Sequence, residues 1–90
     1  MFKIITTNSF EKDALRCAKR GLKMDQLFKA IEILGEIGSL PPAYKPHRLS
    51  GKHSGHWECH IKPDWLLIWI KDENQHSITL IATGSHSDFF

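Results

Sequence analysis

The chain has 90 residues, 41% of them hydrophobic and 24% charged, with a formal net charge of +2, which is the composition of one small soluble domain spanning 1–90. Its longest apolar run, Trp65 to Ile70, is too short to span a bilayer, and the start at Met1 to Ile5 lacks the apolar core of a signal peptide. Two cysteines, Cys17 and Cys59, are too few for a disulfide framework, so a reducing cytoplasm is the expected location.

Phe2 to Thr6 is short and β-branched and predicts a first strand. Asn8 with Glu11 resembles a helix-capping pair. Phe10, Ala14, Cys17 and Ala18 then recur at helical spacing, and Gly21 supplies a stop. Asp25 is placed to cap a second helix with Leu27, Ile31 and Leu34 on one stripe, ended by Gly38 and Pro41-Pro42. The two helices are expected to form a hairpin.

Residues 41–56, rich in Pro, Gly, Ser and His, predict an ordered loop. From Trp57 to Ile61 the pattern alternates, with Trp57, Cys59 and Ile61 on one face and Glu58 and His60 on the other. Trp65 to Ile70 is apolar on both faces, as in a central strand. Asp72 to Gln75 predicts a turn, and Ser77 to Thr83 a further strand with Ile78, Leu80 and Ala82 on one face. The expected fold class is α+β: an N-terminal strand, a helical hairpin, then a three-stranded antiparallel meander completing one sheet.

The chemistry concentrates in the second half. His47, His60 and His86 are three imidazoles, and Asp64 adds a carboxylate. Histidine starts near pKa ~6.5, so such a set moves protons near neutral pH without a metal. Lys45, Arg48, Lys52 and Lys62 outnumber Glu58 and Asp64 in the same stretch, which also carries His53 and His56. A nearby polyanion favours protonated imidazole there.

Singly, each residue has an ordinary explanation. His47 or His60 alone reads as a hydrogen-bonded loop histidine, Asp64 after Pro63 as a turn residue, and Trp65 as core. Cys59 reads as a small buried apolar side chain, and Phe89 and Phe90 as pins for the C-terminus. The run Lys12, Arg16, Lys19, Arg20 and Lys23 reads as a solvated helix face that can also meet nucleic acid. Cys59, His60, His53 and His56 are zinc-ligand types, but Cys59 and His60 are adjacent and point to opposite faces of a strand, and no Cys-x-x-Cys spacing occurs.

Three separated motifs occur in order: Tyr44-Lys45-Pro46-His47-Arg48-Leu49-Ser50-Gly51, then Glu58-Cys59-His60-Ile61-Lys62-Pro63-Asp64-Trp65-Leu66-Leu67, then Thr83-Gly84-Ser85-His86-Ser87-Asp88-Phe89-Phe90. Together they resemble the YafQ branch of the RelE-type bacterial toxins. The resemblance implies a RelE-like fold and a toxin paired with a cognate antitoxin. It also implies cleavage of messenger RNA on the ribosome, by attack of a ribose 2′-hydroxyl on its neighbouring phosphate. No cofactor and no metal is expected. The implied catalytic residues are His47, His60, Asp64 and His86, with base and acid not separated by sequence. Trp65 and Phe90 are expected to stack on a splayed base, while Lys45, Arg48, Lys52 and Lys62 contact the RNA. The family often carries arginines where this chain has Trp57 and Ala82, which leaves two expectations: Lys52, Lys62, Arg48 or protonated His53 and His56 supply the charge, or the chain is a weakly active RNA-binding homologue. A related ParE-like branch poisons DNA gyrase by protein binding, and needs no histidine cluster.

Overall fold

The computed structural model describes residues 1–50 and 55–89. Strand β1 (Lys3–Ile5) is followed by helices α1 (Asn8–Lys19) and α2 (Met24–Ile37), and then by a single 3-10 turn at Pro42–Tyr44. Strands β2 (His47–Arg48), β3 (His56–Lys62), β4 (Trp65–Asp72) and β5 (Ser77–Gly84) follow, and a short helix α3 (His86–Phe89) ends the described chain. The sheet order is β1-β5-β4-β3-β2, with β1 parallel to β5 and every other pair antiparallel. The α+β expectation and the meander hold. The expected loop at 41–56 conceals the edge strand β2, and the tail after β5 turns into α3; both are too short for periodicity to register.

The helix starts differ from the expected ones by one or two residues. Thr7, not Asn8, caps α1: its hydroxyl accepts from the Phe10 N–H at 3.1 Å. Glu11 instead accepts from Thr6 Oγ1 at 2.7 Å. Helix α2 begins at Met24 without a side-chain cap, which leaves Asp25 in its first turn, favourable to the helix dipole. Gly38 ends α2 in the left-handed region at φ 74°, where a Cβ would collide with the Phe2 ring.

The helices cover one sheet face. Phe10, Cys17, Leu27, Ala30 and Leu34 pack on Cys59, Trp65, Leu67, Trp69, Ile78 and Leu80. The expected stripe on α2 is close: Ile31 is only partly buried, and Ala30 is the deeper residue. Register fixes the other face. His47 pairs Glu58, Glu58 pairs Ile68, His60 pairs Leu66 and Leu66 pairs Gly84, and paired residues of antiparallel strands share a side.

A bulge then changes the reading of β5. Ile68 pairs Ala82, while Trp69 pairs Leu80, so Ile81 is the extra residue. Its carbonyl accepts from Ser9 Oγ at 2.9 Å. The alternation flips at this point: Ala82 leaves the core face of Ile78 and Leu80 and joins Glu58, His60 and Ile68.

Candidate active site

The helix-free face of β2 and β3 carries His47 and His60, and the chain ends bring His86 to it. The ring centroids of His47 and His60 lie 6.4 Å apart, and those of His60 and His86 5.7 Å apart. Residues from three sequence regions therefore form one row of imidazoles, all accessible.

Each ring is held at Nδ1 by an oxygen. Asp64, in the β3–β4 turn, meets His86 twice: Oδ1 accepts from the His86 backbone N–H at 3.0 Å and lies 2.7 Å from Nδ1. The His86 N–H, and then its imidazole, hold the Asp64 carboxyl below its usual range, so near neutral pH it is an ionised acceptor. His86 Nδ1 therefore donates, and Nε2 is the edge left for chemistry. His60 Nδ1 donates to the Pro63 carbonyl at 3.2 Å, which leaves its Nε2 in the same condition. His47 donates from Nδ1 to the Lys45 carbonyl at 3.0 Å, made possible by Lys45 in the left-handed region at φ 50°.

The second nitrogen of His47 meets Glu58, with Nε2 to Oε1 at 3.2 Å. Glu58 is 5% exposed, and its Oε2 is buried without a partner among the described residues. The His47 ring therefore lies between a backbone carbonyl and a buried carboxylate, which fixes its orientation from both nitrogens. The expected catalytic set omitted Glu58. The alternation in β3 had already placed it beside His60, and its position between two histidines was the available signal.

The cations divide. Lys45 and Lys62 line a cleft of about 270 Å³ with His60 and Pro63. Lys62 also borders a cleft of about 350 Å³ with Asp64 and Ser85. Arg48 lies elsewhere: it pairs Trp57 across the strands, and its guanidinium sits 5.3 Å from the Trp57 ring centroid, on the side opposite His47. Trp57 itself stacks on Trp69. An arginine at position 57 would thus point away from the histidines, whereas one at 82 would share their face.

Trp65 does not fit the stacking role expected of it. It is 3% exposed, its Nε1–H donates to Thr83 Oγ1 at 3.0 Å, and that hydroxyl donates to the Leu66 carbonyl at 2.7 Å. A ring this buried offers a base almost no surface to stack on, although its edge borders the cleft of Lys62, Asp64 and Ser85. Lys52, His53 and Phe90 lie outside the described residues. Cys59 is fully buried on the core face while His60 lies on the other, and burial pushes the Cys59 thiol up to about 12, the neighbouring Glu58 adding to the effect. The two are not joint ligands of one ion.

Comparison with known proteins finds relatives over nearly the whole chain. An mRNA interferase toxin YafQ from Escherichia coli K12 is 29% identical over 85 residues, which cover 93% of this chain and 90% of that protein. A metal-bound toxin from Helicobacter pylori superposes with a TM-score of 0.90 at 36% identity, covering 100% of both chains. A chain of the E. coli DinJ–YafQ complex superposes with a TM-score of 0.90 at 28% identity, covering 100% of this chain and 99% of its own. The sequence profile described as the bacterial toxin of type II toxin–antitoxin system, YafQ, matches residues 2–90, and the chain belongs to that family.

Proposed function

We propose that this protein is a ribosome-dependent mRNA endonuclease, the toxin of a toxin–antitoxin pair, and that it cuts by acid–base catalysis on the histidine face. The observation that carries the reading is the row of imidazoles in which His60 and His86 are each held at Nδ1, so that two Nε2 edges face one phosphodiester. The 2′-hydroxyl loses its proton to one imidazole as its oxygen attacks phosphorus. The 5′-oxygen leaves with a proton from a second. The products are a 2′,3′-cyclic phosphate and a free 5′-hydroxyl, with no net change in protons.

Asp64 fixes the tautomer and direction of His86, and stabilises the imidazolium that forms if that ring is the base. His47, held between Lys45 and Glu58, supplies positive charge beside the phosphate in its protonated form. Lys45 and Lys62 bind flanking phosphates. Both proton transfers are supplied by side chains, so the step needs no metal. The substrate places the protein in the cytoplasm, and the partners are translating ribosomes and a cognate antitoxin. An accessible face carrying three imidazoles and two lysines suits an antitoxin segment with acidic and apolar side chains.

His60→Ala and His86→Ala should each slow cleavage on translating ribosomes by about 10²–10⁴-fold, with circular dichroism and melting like wild type. Cleavage at the wild-type rate by the double variant would overturn the proposal.

A further inference from the structure

We propose that Arg20, which borders the cleft lined by Lys62, Asp64 and Ser85, is a positioning residue for this reaction: through Asp88 it pins the turn that carries His86. The proposal rests on the RNA-cleaving reading of the histidine face.

Strand β5 ends at Gly84, so residues beyond it have no sheet partner. Among the contacts that hold them is a set to two aspartates. Arg20, the residue that ends α1, donates from Nη1 to Asp88 Oδ2 at 2.9 Å and from Nη2 to Asp88 Oδ1 at 3.1 Å. This two-point pairing fixes direction as well as distance. Asp88 Oδ2 also accepts from the Ser85 N–H at 2.7 Å, and the Asp88 N–H returns to the Ser85 carbonyl at 3.1 Å. The turn is closed from both ends with His86 inside it.

Gly84 supplies an independent sign that Asp88 is seated tightly. A Cβ at position 84 would lie 3.2 Å from the Asp88 Cβ and closer still to its carboxylate. His86 then makes its backbone and ring contacts to Asp64 from a turn already oriented by α1. Two anchors on different elements thus determine where Nε2 points. Arg20 also neutralises Asp88, whose bare charge would repel a phosphate beside His86.

A direct contact between Arg20 and RNA is the competing role, and a double-mutant cycle separates the two. Wild type, Arg20→Met, Asp88→Asn, the double variant and Arg20→Lys are compared in cleavage on translating ribosomes, and in an NMR titration of the Asp64 carboxyl in the free protein. Each single substitution should lower kcat about tenfold or more with KM little changed, because a misdirected His86 costs rate rather than binding. The double variant should be no slower than the worse single, since both break one contact. Arg20→Lys, a point charge without the fork, should fall between. In the variants the Asp64 titration should move up toward the ordinary carboxylate range as the His86 N–H is released.

An intact kcat in both single variants, or an unmoved Asp64 titration in both, overturns the proposal. So does a silent Asp88→Asn alongside an Arg20→Met that only raises KM, which would make Arg20 an RNA contact. The titration uses no RNA. A wild type that fails to cut would defeat the functional reading, while the shift in Asp64 would still support the clamp and its absence would still overturn it.

Discussion

Trp65 offers the sharpest separation between holding the fold and touching RNA. Its indole is 3% exposed and donates to Thr83 Oγ1, itself fully buried. Trp65→Phe keeps an aromatic ring but removes the N–H and part of the ring volume. Losing the hydrogen bond costs about 0.5–1.5 kcal/mol, and the smaller ring leaves a void of comparable cost, so the sum is about 1–3 kcal/mol. For a domain of this size that is a fall in Tm of roughly 4–24 °C. Cleavage measured well below the new Tm should keep wild-type kcat and KM. The assay pairs a thermal melt with single-turnover cleavage on ribosomes. A Trp65→Phe protein with an unchanged melt and a rate reduced tenfold or more would refute the reasoning, because it would mean that the ring meets substrate.

The bulge in β5 puts position 82 on the histidine face, so Ala82→Arg should raise the cleavage rate at neutral pH without lowering the melt, and should flatten the rate between about pH 5.5 and 7.5; an equal or lower rate in a folded variant would mean that Lys45 or Lys62 already meets the need. The Arg20 guanidinium, and then the Ser85 N–H, hold the Asp88 carboxyl well below the usual carboxylate range. A depressed pKa adds stability that is complete above the unfolded value and is lost as pH falls through the folded one. Asp88→Asn should therefore be less stable than wild type in urea at pH 6–7, with the gap closing below about pH 4; a gap independent of pH would contradict the pairing. Burial raises the thiol pKa of both Cys17 and Cys59, so neither should react with a thiol reagent at pH 8 until the protein is unfolded, and rapid labelling of either in the native state would contradict its burial. Cleavage should continue in excess chelator, and activity lost to chelation and restored by zinc would contradict side-chain acid–base chemistry.

Much of this was legible from residue order. Amphipathic spacing gave both helices, and alternation in β3 sorted Trp57, Cys59 and Ile61 from Glu58 and His60. Three things were not legible, each for a physical reason. A two-residue edge strand has no period, so residue order alone puts His47 in a loop, and only pairing with Glu58 gives it a face. A one-residue bulge inverts alternation without leaving a sequence mark, so residue order alone puts Ala82 with Ile78 and Leu80. Trp65 opens the most apolar strand, and its hydrogen bond to Thr83 is a contact across 18 residues that no local pattern encodes. The Asp64–His86 pair spans 22 residues and was reached through the motifs, not through spacing.

The central claim is that the histidine face activates a ribose 2′-hydroxyl. The most direct measurement replaces that hydroxyl, in a ribosome-bound mRNA carrying a single 2′-deoxy nucleotide on the 5′ side of the cleaved bond. The account predicts cleavage of the all-ribose message with a 2′,3′-cyclic phosphate on the upstream product, and no cleavage at the substituted position while the toxin still binds the ribosome. Cleavage at the deoxy position, or an upstream product ending in a 3′-hydroxyl, would contradict it.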